Sequence, residues 1–125
     1  MGATENRAAA QAAYDGFVQG EMEALFSQLA DDVEWTNHAS PEDPLSGTYN
    51  GSAGVREYFG KFGEHIELRR FEIDGLVADG DYVVALLDIA SLNKATGEEF
   101  EGRAVHVLRY DDDGKLTRWE LVRAH

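Results

Sequence analysis

A chain of 125 residues, 43% hydrophobic and 28% charged, is sized for one domain around a single core, expected to span 1–125. Its formal net charge of −13 argues against nucleic acid or an anionic membrane surface as partner. The absence of cysteine rules out disulfides, thiol chemistry and thiolate metal sites.

No apolar run approaches the roughly 20 residues of a membrane-spanning helix. Met1–Asn6 lacks the basic-then-apolar pattern of a signal peptide, and Asn6 stands where myristoylation wants Ser or Thr. A cytoplasmic location is therefore expected.

In chain order, Ala9, Ala10, Ala13, Tyr14, Phe17 and Val18 recur at helical spacing, and Gly20 ends this first helix. A second helix is expected over Glu21–Leu29, burying Met22, Leu25, Phe26 and Leu29 until Asp31-Asp32 breaks it. Val33–Asn37 alternates as a short strand with Val33, Trp35 and Asn37 on one face. His38–Gly51 holds both prolines and reads as an ordered loop or lid. Ser52–His65 reads as a third helix burying Val55, Tyr58, Phe59 and Phe62, with Ser52 as its N-cap.

A strand over Glu67–Ala78 then leads through Asp79-Gly80 into a three-stranded meander: Asp81–Asn93, Glu99–Tyr110 and Lys115–Ala124. Short hairpins pairing Leu92 with Glu99 and Tyr110 with Lys115 put His106 opposite Ala85 on one side and Trp119 on the other. Alternation then sets His106 on a face with Ala85, Leu87, Ile89, Ala104, Leu108, Trp119 and Leu121. The other face carries Val84, Leu86, Asp88, Arg103, Val105, Val107, Arg118, Glu120 and Val122, with Asp88 opposite Arg103. An apolar centre on a face that should meet water predicts a homodimer through that face. Helices early and a curved antiparallel sheet late make the class α+β.

Among the candidate functional groups, His106 has the side chain that titrates nearest neutrality, and burial lowers its pKa. As a neutral imidazole it could take a proton from a carbon acid or donate to an enolate oxygen. It could equally be a core histidine bonded to a backbone carbonyl, to water or to Asn37. Asn37 cannot be a base, but it can donate to an oxyanion or orient His106. Tyr14 and Tyr58 carry hydroxyls that need partners when buried. Trp35, Phe17, Tyr58, Phe59, Phe62 and Trp119 are expected to wall an apolar pocket, with Arg123 near its end as a receiver for a carboxylate or enolate. His38 is the alternative base beside the loop; His65 and His125 read as surface residues. Asp111–Gly114 is a hairpin turn without calcium-loop spacing. No metal-ligand spacing, nucleophile elbow or phosphate loop is present, so neither metal nor cofactor is expected.

Gly20–Asp32 with Val33-Glu34-Trp35, Pro44–Tyr49, Gly51–Phe62, Val105–Tyr110, Gly114-Lys115-Leu116 and Trp119-Glu120-Leu121 together resemble the SnoaL-like branch of the ketosteroid isomerase and nuclear transport factor 2 superfamily. The resemblance implies a cone-shaped α+β barrel, its three helices packed on a strongly bent, mainly antiparallel sheet around a deep pocket, with a dimer on the outer face. It further implies functions such as isomerisation, polyketide cyclisation, epoxide hydrolysis, dehydration or plain ligand binding. Carried over by position, the general-base aspartate of ketosteroid isomerase falls on Asn37, its oxyanion tyrosine on Ala13, one place from Tyr14, and its oxyanion aspartic acid on His106. All three identities differ, and the arginine–aspartate–arginine set of limonene epoxide hydrolase is not evident. Three readings follow: a cofactor-independent acid–base enzyme acting on a hydrophobic metabolite, a non-catalytic binding protein, or a dimerisation module whose pocket is filled by Trp35 and Trp119.

Overall fold

The computed structural model describes residues 2–123; the expected strand end at Ala124 and the surface position of His125 lie outside them. The element order is α1 (Ala3–Gln19), α2 (Glu23–Phe26), β1 (Leu29–Asn37), β2 (Gly47–Asn50), α3 (Gly51–His65), β3 (Ile66–Asp79), β4 (Tyr82–Asn93), β5 (Glu99–Tyr110) and β6 (Leu116–Arg123). Among the described residues, six strands form one sheet in the order β2-β1-β6-β5-β4-β3. All pairs are antiparallel except β1 with β6. The fold is the expected α+β, helices on a curved sheet, but β2 and β3 are free edges and the barrel is not closed.

Local chemistry explains most boundaries. Gly20 closes α1 at φ 78°, and its N–H and that of Glu21 return to carbonyls of the last turn. Glu21 passes so close that a Cβ on Gly16 would meet its carbonyl oxygen at 2.4 Å, so only glycine fits. Ala10, Ala13 and Tyr14 of α1 are buried, whereas Val18 points to solvent. The second helix is one turn only, and Leu29–Asp32 belongs to β1. The acidic pair does not break a helix there. A register shift between Leu29 and Glu34 leaves both aspartates exposed while Leu29, Ala30 and Val33 stay buried. β2 lies inside the stretch expected to be loop, pairing Asn50 through Gly47 with Glu34 through Asn37. Asn50, not Ser52, takes the N-cap position of α3 and makes no side-chain capping bond.

β3 is bent by two bulges, one between Leu68 and Arg70 and one between Ile73 and Gly75. Each extra residue resets the alternation, so Leu68 and Phe71 reach the cavity wall and Ile73 and Leu76 pack on the core. The β4–β5 register agrees with expectation: Leu92 faces Glu99 and Ala85 faces His106. The β5–β6 register is shifted. His106 faces Leu121 rather than Trp119, and Trp119 faces Leu108. The shift is two residues, one period of the pleat, so Trp119 and Leu121 keep their predicted inner face and Arg118, Glu120 and Val122 their outer one, while a bulge between Arg109 and Tyr110 turns Leu116 into the core. Helices α1 and α3 cover the inner face, where Ala85, Leu87, Ala104, Leu108 and Trp119 are buried. Among the described residues, no helix is long and apolar enough to cross a membrane.

Candidate functional site

Between the helices and the sheet lies a cavity of about 130 Å³. Trp35 and Trp119, neighbours on the parallel β1–β6 pair, stack with centroids 4.1 Å apart and 9° between planes. Phe59 meets Trp35 at 5.5 Å and Tyr58 at 5.4 Å, while Phe17 meets Phe71 at 5.2 Å. These aromatic walls follow from α1 and α3 each turning one apolar stripe to the sheet. The tryptophans line the cavity without filling it, which removes the collapsed-module reading. The Trp35 indole N–H is buried without an acceptor among the described residues.

At the floor, the Tyr14 hydroxyl and His106 Nδ1 are 2.7 Å apart, both buried. Desolvation lowers the His106 pKa to about 3, so the imidazole is neutral. Burial also raises the Tyr14 hydroxyl far above its ordinary value, against a smaller downward pull from the Trp119 indole. When the Tyr14 hydroxyl donates to Nδ1, the imidazole proton sits on Nε2. His106 is then the Nε2–H tautomer. Nε2 has no protein partner among the described residues, and His106 lines the cavity. The group can therefore present a neutral N–H donor to a ligand oxygen.

A second buried polar group lines the same cavity. Ala39 N–H donates to Asn37 Oδ1 at 3.0 Å, which turns the amide nitrogen to donate to the Tyr58 hydroxyl oxygen at 3.2 Å. Asn37 thus orients Tyr58, not His106. Burial raises the Tyr58 pKa, the Asn37 bond and the nearby Arg123 charge opposing it and the Asp43 charge adding to it. Arg123 donates to Glu98 at 2.8 Å and lies over the Phe100 ring at 4.8 Å.

The structure brings Tyr14, Phe17, Trp35, Asn37, Tyr58, Phe59, Phe62, His106, Trp119 and Arg123 to one cavity. His38 stays outside it: its ring is half exposed and its Nε2 meets Glu120 at 2.9 Å on the surface. Its side chain follows Asn37 on the strand, so alternation sends it to the opposite face. Sequence reasoning missed Asp43. This half-buried carboxylate lines the cavity, its Oδ1 accepting the Leu45 N–H at 2.9 Å in an Asx turn. Asp43-Pro44-Leu45, with Leu45 fully buried as the anchor, was the available signal.

A family model described as SnoaL-like domain matches residues 10–119. The chain belongs to the SnoaL-like domain family. Its fold is that of the nuclear transport factor 2-like protein of Burkholderia xenovorans, 25% identical, with a TM-score of 0.82 over 98% of this chain and 91% of that one. TerC, co-crystallised with polyporic acid, is 28% identical with a TM-score of 0.78 over 96% of this chain and 92% of its own. A ketosteroid isomerase-like fold from Catenulispora acidiphila, solved with trimethylamine, is 17% identical with a TM-score of 0.72 over 93% and 85%. No curated protein matches the sequence.

Proposed function

We propose that this protein is a cofactor-independent enzyme acting by acid–base chemistry on a small hydrophobic metabolite, of isomerase, cyclase or hydrolase type. The observation that carries the reading is the 2.7 Å Tyr14–His106 bond, which leaves a neutral N–H at the floor of an aromatic cavity. His106 Nε2–H donates to one carbonyl oxygen of the substrate, and the Tyr58 hydroxyl to another. The Asp43 carboxylate, beside Tyr58, takes the proton from the carbon next to that second carbonyl, and the C–H electron pair moves onto its oxygen as an enolate held by Tyr58. The burial that keeps the imidazole neutral unsuits it as the base, so the carboxylate fills that role. The relative co-crystallised with polyporic acid supports a small organic ligand.

A second reading, non-catalytic ligand binding, is favoured by one observation: among the described residues no carboxylate touches His106. Exchange of the α-protons of 2-tetralone in deuterated water, followed by proton NMR, separates the two. The enzyme reading expects the protein to accelerate exchange and Asp43→Asn to slow it by about 10²-fold or more. Asparagine can still accept the Leu45 N–H, so the loop is preserved. Binding without accelerated exchange would leave only the binding protein.

The same reading includes a homodimer, a second copy covering Val84, Leu86, Val105 and Val107, which stay outside the core cluster of this chain. Sedimentation equilibrium at micromolar concentration is expected to give twice the chain mass; a monomer would remove the proposal.

A further inference from the structure

The cavity holds two hydrogen-bond relays that run in the same sense. In the first, the Tyr14 hydroxyl and His106 Nδ1 are 2.7 Å apart, and with Tyr14 as donor the ring is the Nε2–H tautomer with Nε2–H spare. In the second, Ala39 N–H donates to Asn37, whose amide donates to the Tyr58 oxygen. The Tyr58 proton then has no protein acceptor among the described residues, and Tyr58 lines the cavity. Each relay therefore ends in a donor without a protein partner. Between the two ends the walls are aromatic.

Charge narrows the ligand further. Arg123 is the sole lysine or arginine among the described lining residues, and Glu98 already neutralises it at 2.8 Å. Asp43 adds a carboxylate beside Tyr58. A carboxylate ligand at the Tyr58 end would have to displace Glu98 and approach Asp43, whereas a carbonyl oxygen would accept from Tyr58 at no such cost.

We infer that the ligand is an uncharged, flat, largely apolar molecule with a carbonyl-type acceptor at each end, one for His106 Nε2–H and one for the Tyr58 hydroxyl. This deepens the ligand-site reading of the cavity and rests on it, but it does not depend on catalysis. It makes Tyr58 a substrate-orienting residue and Asn37 a residue that acts through Tyr58 by fixing which way its proton points.

Isothermal titration with four naphthalenes of one shape tests it: 2,6-diacetylnaphthalene, 2-acetylnaphthalene, 2-ethylnaphthalene and 2,6-naphthalenedicarboxylate. The diketone should bind most tightly, with each acetyl group worth about 3- to 10-fold, the ordinary net effect of one neutral hydrogen bond. The dicarboxylate should bind more weakly than the diketone. Tyr58→Phe keeps the ring and should erase the advantage of the second acetyl while leaving 2-ethylnaphthalene binding unchanged. Tyr14→Phe frees the His106 tautomer and should cut the advantage of the first acetyl a few-fold.

Hydrocarbon and diketone binding alike, or Tyr58→Phe leaving their ratio intact, would overturn the two-acceptor assignment while the ligand site stands. Tighter binding of the dicarboxylate would overturn the assignment of an uncharged ligand. Failure of all four to bind would instead remove the ligand-site reading itself.

Discussion

The two faces of the central sheet are built from the same strands, residue by residue in alternation, yet they treat polar groups in opposite ways. Deep on the inner face the polar contacts are neutral pairs, Tyr14 with His106 and Asn37 with Tyr58. Among the described residues lining the cavity, formal charge is confined to the partly exposed Asp43, Glu98 and Arg123. The outer face carries ion pairs instead: Arg70–Asp88 at 2.7 Å, Arg103–Asp74 at 3.1 Å and Arg118–Glu34 at 3.5 Å, all partly exposed. Asp88 does face Arg103 in register, but it pairs with Arg70, while Arg103 takes Asp74 from the second bulge of β3. Desolvation sorts the two faces. A buried charge costs several kcal/mol, so the helix-covered side keeps neutral groups that satisfy one another.

Paired substitutions put the largest strain on this contrast. Leu87→Ala on the inner face should cost about 2–5 kcal/mol in urea denaturation, because the residue is fully buried and the helices above it cannot collapse into the void. Val105→Ala, on the outer face of the adjacent strand, should cost under about 1 kcal/mol in dilute solution, where no second copy covers it. Equal losses in dilute solution would mean that the outer face is buried too.

Acid gives the next effect. An unfolded histidine titrates near 6.5, whereas folded His106 does so at about 3. The unfolded chain therefore binds the extra proton throughout the window between these values. Stability is fully present above about pH 6.5 and falls as pH drops through the window, by roughly 1.4 kcal/mol per pH unit well inside it. Comparing His106→Gln with the parent in unfolding at pH 4.5, 5.5 and 7 isolates this contribution from that of the carboxylates. Parallel pH profiles would mean that His106 is charged or solvated in the folded chain.

The smallest effect belongs to the outer ion pairs. Arg70→Ala should cost less than about 1 kcal/mol, and raising salt from 0.05 to 1 M should shrink that difference. A salt-independent loss would show Arg70 to be packed rather than merely paired.

The inner face of the meander was legible in the sequence because period-two alternation is a local property. The β5–β6 register differs from expectation by two residues, yet His106 still faces inward and its ring centroid still lies 4.6 Å from that of Trp119. Other features were illegible for identifiable reasons. β2 is four residues of Gly, Thr, Tyr and Asn whose strand character comes from pairing with β1, not from its own pattern. The bulges at Arg69 and Asp74 break alternation in the middle of β3, which no window of single period can represent. Asp43 looked like one polar residue of a proline-flanked loop. Burial of Leu45 and the Asx turn are what bring it to the cavity. Asn37 was expected to donate to an oxyanion or orient His106, and the backbone N–H of Ala39 turns its amide to Tyr58 instead.

By itself, the sequence determined the fold class, the aromatic wall and the inward position of His106, since these depend on short-range periodicity and on which side chains avoid water. Only the tertiary structure decided what His106 and Tyr58 can do. The partner of His106 is 92 positions away on another element, 2.7 Å from Nδ1, and burial among residues distant in sequence is what keeps the ring neutral. The partner each polar group finds is a property of the packed neighbourhood, which no stretch of sequence around His106 or Tyr58 contains.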